Sequence, residues 1–210
     1  RIEDTDRSRS YGHLAEELMT DLQWLGIEWQ EGPKIGGENG SYWQSERDDI
    51  YAQYYEKLLE QNQAYFCFCS ETELTLQRKI QASRGLPPRY PGTCRNLTDS
   101  EIAERKAAGI PATLRFKIPS NQEVVFEDVV KGQQIFQTDD IGDFIIRRAD
   151  GSASFLFCNA VDDALMKVTL ALRGEDHLSN TPRQLLIAKA LGLTPPQYGH
   201  ISLILGNDGA

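Results

Sequence analysis

The first sixty residues contain two stretches whose apolar positions recur at helical spacing. Between residues 11 and 29 the apolar stripe consists of Leu14, Leu18, Leu22 and Leu25. Gly26 follows the stripe, so the pattern predicts an amphipathic helix that packs on a core and ends there. After a glycine-rich loop at 32–42, Ser45 is placed to cap a second helix that reaches residue 62. The apolar face of this second helix is formed by Ile50, Tyr54, Leu58 and Leu59.

Residues 65–140 follow a different pattern. A short aromatic and cysteine-bearing strand at 65–70 precedes two capping boxes, Ser70 with Glu73 and Thr98 with Glu101, each of which predicts the start of a polar helix. Alternating apolar and polar residues at 113–118 and 124–130 then predict half-buried antiparallel strands. We therefore expect a small α+β insertion at 65–140, between a first segment at 1–64 and a further segment at 141–210.

After the insertion, the pattern at 141–210 predicts that the chain rejoins the main sheet. Apolar strands at 144–147 and 154–157 flank Asp150 and Gly151, a strong signal for a hairpin turn. A buried strand at 168–172 precedes a helix at 179–191, which has Pro182 in its first turn and Gly192 after its end. Another strand is expected at 200–205. This order predicts a right-handed βαβ unit and an α/β fold with a parallel sheet.

Composition and charge narrow the class of protein. With 210 residues, 40% of them hydrophobic, the chain is long enough to bury a sizeable core. No apolar run reaches the roughly 18 to 20 residues of a membrane span, so we expect a cytoplasmic protein with no membrane partner. The formal net charge of −9 argues against a nonspecific nucleic-acid coat. It leaves room for a local basic track on RNA, formed by Arg78, Lys79, Arg84, Arg89 and Arg95.

A charged loop at 173–180 links the predicted strand at 168–172 to the helix that follows. The loop contains Arg173, Glu175, Asp176 and His177. In an open α/β sheet, ligands bind beyond the carboxyl ends of the strands, against the amino ends of helices. The loop is therefore a candidate ligand site, and the alternative is a solvated turn whose charges have no chemical role.

Three sequence runs together resemble one enzyme family. These runs are RIEDTDR at 1–7, GEDHLSNTPRQLL at 174–186 and LILGNDGA at 203–210. They resemble bacterial glutamyl-tRNA synthetases, which are class I aminoacyl-tRNA synthetases. The resemblance implies a Rossmann-like parallel sheet with an inserted acceptor-binding subdomain. It also implies a monomer that activates L-glutamate with ATP and Mg²⁺ and transfers it to the 3′ end of tRNA(Glu). The HIGH-type and KMSKS-type phosphate motifs of the family are expected before and after these 210 residues, so no catalytic residue is assigned here.

The resemblance also implies roles for individual residues. Glu3 matches the acid that holds the substrate α-amino group, Arg173 matches the arginine that pairs with a substrate carboxylate, and Asn159 matches a further pocket position. An arginine that donates two parallel hydrogen bonds binds a carboxylate and discriminates against the amide of glutamine. Asp176 and His177 match the stretch that reaches toward the ATP ribose.

One pocket position departs from the family pattern. Phe155 stands where the family usually has a tyrosine, so the hydroxyl donor of the pocket is missing. Either another group takes over this hydrogen bond or Phe155 is a core aromatic in an apolar run. The nearby Asp162 and Asp163 resemble the paired acids of the family; adjacent acids at a helix start are more often caps than a metal site.

A candidate zinc site lies in the insertion. The spacing of Cys67, Cys69 and Cys94 resembles the zinc site of some bacterial members, and a fourth ligand would complete a tetrahedral structural Zn²⁺. Some members have histidine at the position of Asn96, a poor ligand, whereas Tyr90 matches the tyrosine ligand of related glutamyl-queuosine-type enzymes. The alternative is that the cysteines are ordinary small core residues, as we expect for Cys158.

Two other functions stay open at this point. One is a glutamyl-queuosine tRNA(Asp) synthetase, which has the same pocket and no anticodon domain. The other is a noncatalytic, zinc-stabilised module that binds tRNA. In every case we expect Arg84 and Arg89 to contact tRNA phosphates with salt-sensitive affinity.

Overall fold

The computed structural model describes residues 1–6, 10, 12–204 and 206. The helices are α1 (Gly12–Trp24), α2 (Asp48–Glu60), α3 (Glu71–Ser83), α4 (Asp99–Ala107), α5 (Thr138–Ile141), α6 (Phe155–Leu165) and α7 (Thr181–Leu191). The strands are β1 (Ala64–Cys67), β2 (Thr113–Phe116), β3 (Glu123–Asp128), β4 (Gly132–Gln137), β5 (Phe144–Arg147), β6 (Leu170–Gly174) and β7 (Gln197–Ile201). Short 3₁₀ helices occupy Gln44–Glu46 and Glu175–Asn180. Arg7, Leu205 and residues 207–210 of the motif runs lie outside the described residues, as does Tyr11 at the predicted helix start.

The strands form two sheets. One is antiparallel with the order β1-β2-β5, and the other has the order β4-β3-β7-β6. In the second sheet β6 and β7 are parallel, as predicted, and the β3–β4 hairpin joins them through a parallel pairing of Asp128 with Tyr198. The α/β fold class is confirmed. The segment 65–140 therefore supplies strands to both sheets, and the three-segment division stays a prediction.

Local capping signals gave correct helix starts and one correct end. Ser70 and Thr98 each accept a backbone hydrogen bond from the glutamate three residues later, and that glutamate bonds back to the capping residue. Gly192 ends α7 in the left-handed conformation, with φ of 69°, a geometry that costs glycine little. These short-range interactions are fixed by a few neighbouring residues, so the sequence shows them directly.

The hairpin predicted around Asp150 and Gly151 is wrong in its second strand. Residues 155–165 form helix α6, and the predicted pairing is reduced to a single bridge between Arg147 and Ala153. Asp162 and Asp163 are likewise not caps at a helix start, because they lie in the second half of α6 and are buried. Every residue from 157 to 163 is buried, so α6 has no exposed face, and its polar residues point into the protein.

The apolar stripe of α1 does not pack on the core as predicted. Leu14, Leu18 and Leu25 are 45%, 51% and 61% exposed, whereas Ala15 and Met19 are the buried residues of the helix.

Ser45 also differs from its prediction, because it lies in a 3₁₀ turn and α2 begins only at Asp48. Instead of capping the helix, Ser45 donates from its backbone N–H and its hydroxyl to the two carboxylate oxygens of Asp4, at 2.9 and 2.5 Å. The predicted apolar face of α2 packs against the core, but its fully buried positions are Tyr51, Tyr55 and Leu58.

The two parallel strands are shifted from their predicted positions. Strand β6 begins at Leu170 and has Leu170 and Leu172 45% and 58% exposed, so it is not the buried strand expected at 168–172. Strand β7 ends at Ile201 rather than continuing to 205. The main core instead lies between α2, α6, α7 and the antiparallel sheet. Among the described residues, no helix is long and apolar enough to cross a membrane.

Candidate functional site

A cavity of about 540 Å³ lies beside the end of β6 and the face of α6. Five residues predicted for amino-acid or ATP binding line it together, namely Glu3, Phe155, Asn159, Arg173 and His177. The strand-like segment at the start of the chain reaches the cavity because Ile2 bridges Trp43, with its N–H donating to the carbonyl of Tyr42 at 2.7 Å. Residues far apart in sequence thus meet at one place.

Arg1, which the sequence analysis did not single out, links several groups of the cavity. Its Nη1 lies 2.7 Å from Oδ1 of the buried Asp163, and its Nη2 donates to Asn159 Oδ1 at 2.8 Å and to Glu3 Oε1 at 3.2 Å. Burial by itself lowers the pKa of Arg1, but Asp163 and Glu3 outweigh that effect and raise it. Burial also raises the pKa of Asp163, and Arg1 offsets only part of the increase. The two side chains therefore form a partly desolvated ion pair in the cavity wall.

Asn159 has its amide orientation fixed by two donors. Its Oδ1 accepts from Arg1 and, at 3.0 Å, from Nε2 of the buried Gln44. Its Nδ2 group, by contrast, has no hydrogen-bond partner among the described residues. Because Asn159 lines the cavity, these N–H groups can serve a ligand carboxylate or carbonyl.

Asp162 supports this wall from beneath. Its carboxylate accepts from Arg47 Nε at 2.8 Å, Gln44 Nε2 at 3.0 Å and the Tyr51 hydroxyl at 2.7 Å. Arg47 and Asp162 are both almost completely buried. The adjacent acids therefore bind different arginines: Asp163 binds Arg1 at the cavity, and Asp162 binds Arg47 within the core.

Arg173 lies at the end of β6 and is held only by neutral acceptors. Its Nε donates to His200 Nε2 at 3.2 Å, and its Nη2 donates to Thr181 Oγ1 at 2.8 Å and Gln184 Oε1 at 2.7 Å. No carboxylate among the described residues forms an ion pair with it, and burial lowers its pKa. Its Nη1 has no partner in the described chain. The bidentate contact with a carboxylate that was predicted for Arg173 would need one hydrogen from Nη1 and one from Nη2. Both Nη2 hydrogens are already donated to Thr181 and Gln184.

His200 is itself held by Asp128, a residue that the sequence analysis missed. His200 Nδ1 lies 2.5 Å from Asp128 Oδ2, and both residues are buried. Burial alone would raise the pKa of Asp128, but hydrogen bonds from His200 and from the backbone N–H groups of Lys131 and Val130 lower it to about 2. Asp128 is therefore ionised at neutral pH. It lies at the end of β3, 72 positions from His200, so no local sequence pattern joins the two.

The predicted ATP-binding residues lie at the mouth of this arrangement. Phe155 stacks on His177, with ring centroids 5.1 Å apart, and His177 Nδ1 lies 3.0 Å from Asn180 Nδ2. Asp176 is about half exposed and outside the cavity lining. A Cβ on Gly174 would lie 2.5 Å from Asp176 Oδ1, so a larger residue here would have to displace the Asp176 side chain. Phe155 thus packs in the cavity wall and offers no polar group.

A second set of residues missed by the sequence analysis also lines the cavity. Glu31 accepts from the Tyr42 hydroxyl at 2.6 Å and from Asn39 Nδ2 at 2.7 Å, and these hydrogen bonds lower the pKa of Glu31. Gly37, with φ of 146°, packs so closely here that a Cβ would lie 2.2 Å from the Tyr42 hydroxyl. The glycine-rich loop at 32–42 is therefore folded around a hydrogen-bonded carboxylate.

The cysteine cluster forms away from the cavity. The sulfurs of Cys67, Cys69 and Cys94 lie within 4.8 Å of one another, with Cys69 and Cys94 3.6 Å apart. The Tyr90 hydroxyl lies 3.3 Å from the Cys67 sulfur and 3.6 Å from the Cys69 sulfur.

These spacings fit a tetrahedral metal site. A zinc ion about 2.3 Å from each sulfur places the sulfurs about 3.8 Å apart and a phenol oxygen about 3.5 Å from each sulfur. Asn96 is exposed, whereas Cys67 and Cys94 are buried. Burial raises the pKa of Cys69 to about 12, whereas hydrogen bonds from Tyr90 and Arg115 outweigh burial at Cys67 and lower its pKa. Cys158 is buried in the main core, as expected.

The basic residues of the predicted RNA track differ in whether their side chains are already bonded to other parts of the protein. Arg78, Lys79 and Arg84 are exposed and have no partner among the described residues. Arg89 donates to the carbonyl of Asp139 and lies 3.1 Å from Asp140 Oδ1. Its guanidinium is therefore already engaged by the protein, as is that of Arg95, which pairs with the buried Asp143.

Comparisons with known proteins agree along the whole chain. The sequence model of the family described as tRNA synthetases class I (E and Q), catalytic domain, matches residues 1–210. The chain is 60% identical over its full length to glutamate–tRNA ligase 2 of Alkalilimnicola ehrlichii and to glutamate–tRNA ligase 1 of Halorhodospira halophila, and it spans 44% of each. Its fold matches the crystal structure of a glutamate tRNA ligase from Elizabethkingia meningosepticum in complex with its amino acid, with a TM-score of 0.90 and 34% identity. That match covers 98% of this chain and 42% of the other.

Proposed function

Because the chain belongs to the class I tRNA synthetases for glutamate and glutamine, whose catalytic-domain model covers all 210 residues, we propose that it forms the amino-acid-binding part of a glutamate–tRNA ligase. The protein would activate L-glutamate with ATP and Mg²⁺ and transfer it to the 3′ end of tRNA(Glu). The chain spans less than half the length of the relatives it matches, so the reaction belongs to a longer protein. The observation that carries the proposal is that Arg173, which has no counter-ion among the described residues, lies in the same cavity as the exposed Glu3.

The cavity has the three kinds of group that free glutamate requires. The carboxylate of Glu3, whose side chain is 41% exposed, accepts hydrogen bonds from the substrate ammonium. Nη1 of Arg173 and Nδ2 of Asn159 donate to substrate carboxylates. Glutamine would place a neutral amide against Arg173, which has no anionic partner among the described residues. Sites that match the polar groups of one substrate in this way favour it over an analogue by roughly 10⁴- to 10⁵-fold without editing. We propose that His177, which lines the cavity, and the neighbouring Asp176, which does not, approach the ATP ribose.

The reaction is tested by glutamate-dependent ATP–pyrophosphate exchange on the full-length protein that carries this chain. The assay is run with and without tRNA(Glu), and with glutamine in place of glutamate. We expect exchange with glutamate and tRNA(Glu), and none with glutamine. Equal exchange with both amino acids would contradict the assigned pocket. Binding of tRNA without exchange would favour the noncatalytic module, and glutamate transfer to queuosine-containing tRNA(Asp) would favour the queuosine-type enzyme.

We also propose that Cys67, Cys69, Cys94 and Tyr90 hold a structural zinc ion, since their spacing fits a tetrahedral site. When bound, zinc would cross-link β1 to the loop before α4. Elemental analysis should give about one zinc per chain, and Cys94→Ser should lose most of it. Cys158→Ser is the matched control, because Cys158 is a buried thiol outside the cluster and should keep the zinc. Equal zinc in both variants would count against the site.

For tRNA we propose that Arg84 contributes more than Arg89. The Arg84 side chain is exposed and has no partner in the part of the chain that the structure describes, whereas Arg89 is bonded to the α5 region. Arg84→Gln should weaken tRNA binding and reduce the salt slope of log affinity by about 0.7 to 0.9, the value for one phosphate contact. Arg89→Gln should change the slope less. The opposite ranking would mean that Arg89 leaves Asp140 when RNA binds.

A further inference from the structure

His200 contacts two groups whose chemistry fixes its protonation. Its Nε2 faces Arg173 Nε at 3.2 Å, and a guanidinium nitrogen can only donate, so Nε2 must accept. Its Nδ1 faces a carboxylate oxygen of Asp128, which can only accept when ionised, so Nδ1 must carry the proton. The hydroxyl of Thr181, 3.1 Å from Nε2, can donate to the same lone pair. A neutral ring with its proton on Nδ1 is the arrangement that satisfies every contact.

Asp128 is built to hold this tautomer. Its Oδ1 accepts from the backbone N–H groups of Val130, Lys131 and His200 at 3.0, 2.9 and 3.1 Å, which leaves Oδ2 for the imidazole. The side chains of Asp128 and His200 are both 0% exposed, so water does not compete for these bonds. The carboxylate is therefore fixed by the β3–β4 turn and by β7 before it contacts the ring.

We propose that Asp128 and His200 are positioning residues for Arg173: Asp128 sets the His200 tautomer, and His200 then fixes the Nε edge of the guanidinium so that Nη1 is presented to the substrate carboxylate. The proposal rests on the proposed function, in which Arg173 binds that carboxylate. It adds that the arginine is oriented by a neutral acceptor, which leaves its positive charge uncancelled for the ligand. A carboxylate in direct contact with Arg173 would orient it equally well but would compete with the substrate.

Asp128→Asn separates this role from simple packing. The amide keeps the size of the side chain, and its oxygen can still accept from the three backbone N–H groups. Its nitrogen then faces His200 Nδ1 and donates, which moves the ring proton to Nε2 and places it against the N–H of Arg173. We expect the KM for glutamate to rise about tenfold to hundredfold, the range for loss of a hydrogen bond to a charged group, while the KM for ATP changes less than about threefold.

Two substitutions at His200 provide the rescue test. In His200→Gln the side-chain oxygen can take the acceptor position of Nε2, whereas in His200→Asn the amide reaches only the position of Nδ1. We expect a normal KM for glutamate in the first variant and a raised KM in the second. Asp143→Asn is the matched control, because Asp143 is a buried carboxylate that binds Arg95 and lies outside the cavity. It should leave the KM for glutamate unchanged.

A spectroscopic readout distinguishes the proposal from the proposed function. In the full-length protein labelled with ¹⁵N-histidine, the ring signals of His200 are identified as those that disappear in His200→Gln. We expect the Nδ1–H tautomer for His200 and the Nε2–H tautomer in Asp128→Asn. An Nε2–H tautomer in the unmodified protein, or the expected switch with no change in the KM for glutamate, would overturn the positioning role. Absence of glutamate activation would overturn the proposed function, and the tautomer together with the Arg173 Nε–H signal would still decide whether the pair orients the arginine.

Discussion

Arg1 and Arg173 line the same cavity, but the protein surrounds them differently. Arg1 is paired with the buried Asp163 and also contacts Glu3, and its pKa is raised by these acids despite burial. Arg173 has His200, Thr181 and Gln184 as its acceptors, and burial lowers its pKa. Both side chains are held by several hydrogen bonds, so the difference between them lies in charge rather than in rigidity.

This difference indicates a division of labour. A cation whose charge is cancelled by a buried acid stabilises the wall, because removal of either partner leaves the other as an unpaired buried charge. A cation held by neutral groups stays available to an anion from outside. We therefore expect substitution of Arg1 to affect mainly folding, and substitution of Arg173 to affect mainly substrate binding.

The largest expected effect is on stability. Arg1→Gln leaves Asp163 buried without its counter-ion, so the free energy of unfolding should fall by about 3 to 5 kcal/mol, measured by chemical denaturation. Lys34→Gln is the control, because Lys34 and Glu16 form an exposed pair expected to contribute about 0 to 1 kcal/mol. Similar losses in the two variants would mean that Asp163 does not depend on Arg1.

Arg173→Gln should reduce substrate binding more than stability, the reverse of what we expect for Arg1→Gln. Loss of the uncancelled cation should lower kcat/KM for glutamate about 10²- to 10³-fold, since breaking a charge pair with the ligand costs several kcal/mol. The free energy of unfolding should fall by less than the about 3 to 5 kcal/mol expected for Arg1→Gln, because removal of Arg173 leaves no buried carboxylate without its counter-ion. Arg148→Gln, which removes an arginine bonded to Ser152 and Ala153 outside the cavity, should leave kcat/KM unaltered. A large loss of stability in Arg173→Gln would remove the contrast with Arg1.

Gln184→Glu should make Arg173 resemble Arg1. The substitution keeps the shape of the side chain and places a carboxylate near Arg173 Nη2. Gln184 Nε2 has no partner among the described residues, so no hydrogen bond with them is lost. With its charge now partly cancelled, Arg173 should bind the substrate carboxylate less well, and the KM for glutamate should rise about tenfold. An unchanged KM would show that the neutrality of the acceptors around Arg173 is incidental.

Phe155→Tyr should have the smallest effect. The added hydroxyl brings a neutral donor to the cavity without altering the partners of either arginine. One such hydrogen bond is worth about 1 kcal/mol, so the KM for glutamate should fall about fivefold. A KM that stays the same would identify Phe155 as a packing residue whose contact with His177 is its whole contribution.

Only those site residues that match motifs of the family could be predicted from the sequence. Glu3, Asn159 and Arg173 were named from the family resemblance, and the structure brings them to one cavity. Their partners were not named, because Arg1 is 158 positions from Asn159 and Asp128 is 72 positions from His200. Pairing over such distances depends on the tertiary fold, which residue spacing does not reveal.

The same limit explains the errors in the fold. Helix α6 was taken for a strand because its buried surface extends around the helix, so Phe155, Leu156 and Phe157 form an apolar run without helical period. The capping boxes at Ser70 and Thr98 were correct because each depends on residues only three positions apart. Asp162 and Asp163 look like surface acids until the arginines that pair with them, Arg47 and Arg1, are known.

The pairing of the β3–β4 hairpin with β7 also constrains the order in which the protein folds. Asp128 pairs with Tyr198 and binds His200, so these contacts form only after most of the chain has been synthesised. Contacts between residues this distant form slowly, because the loop between them must first be closed. During translation Arg173 emerges from the ribosome before His200, and until β7 joins the sheet the arginine lacks the acceptor for its Nε. The cavity that contains Arg173 is therefore among the last parts of this chain to be completed.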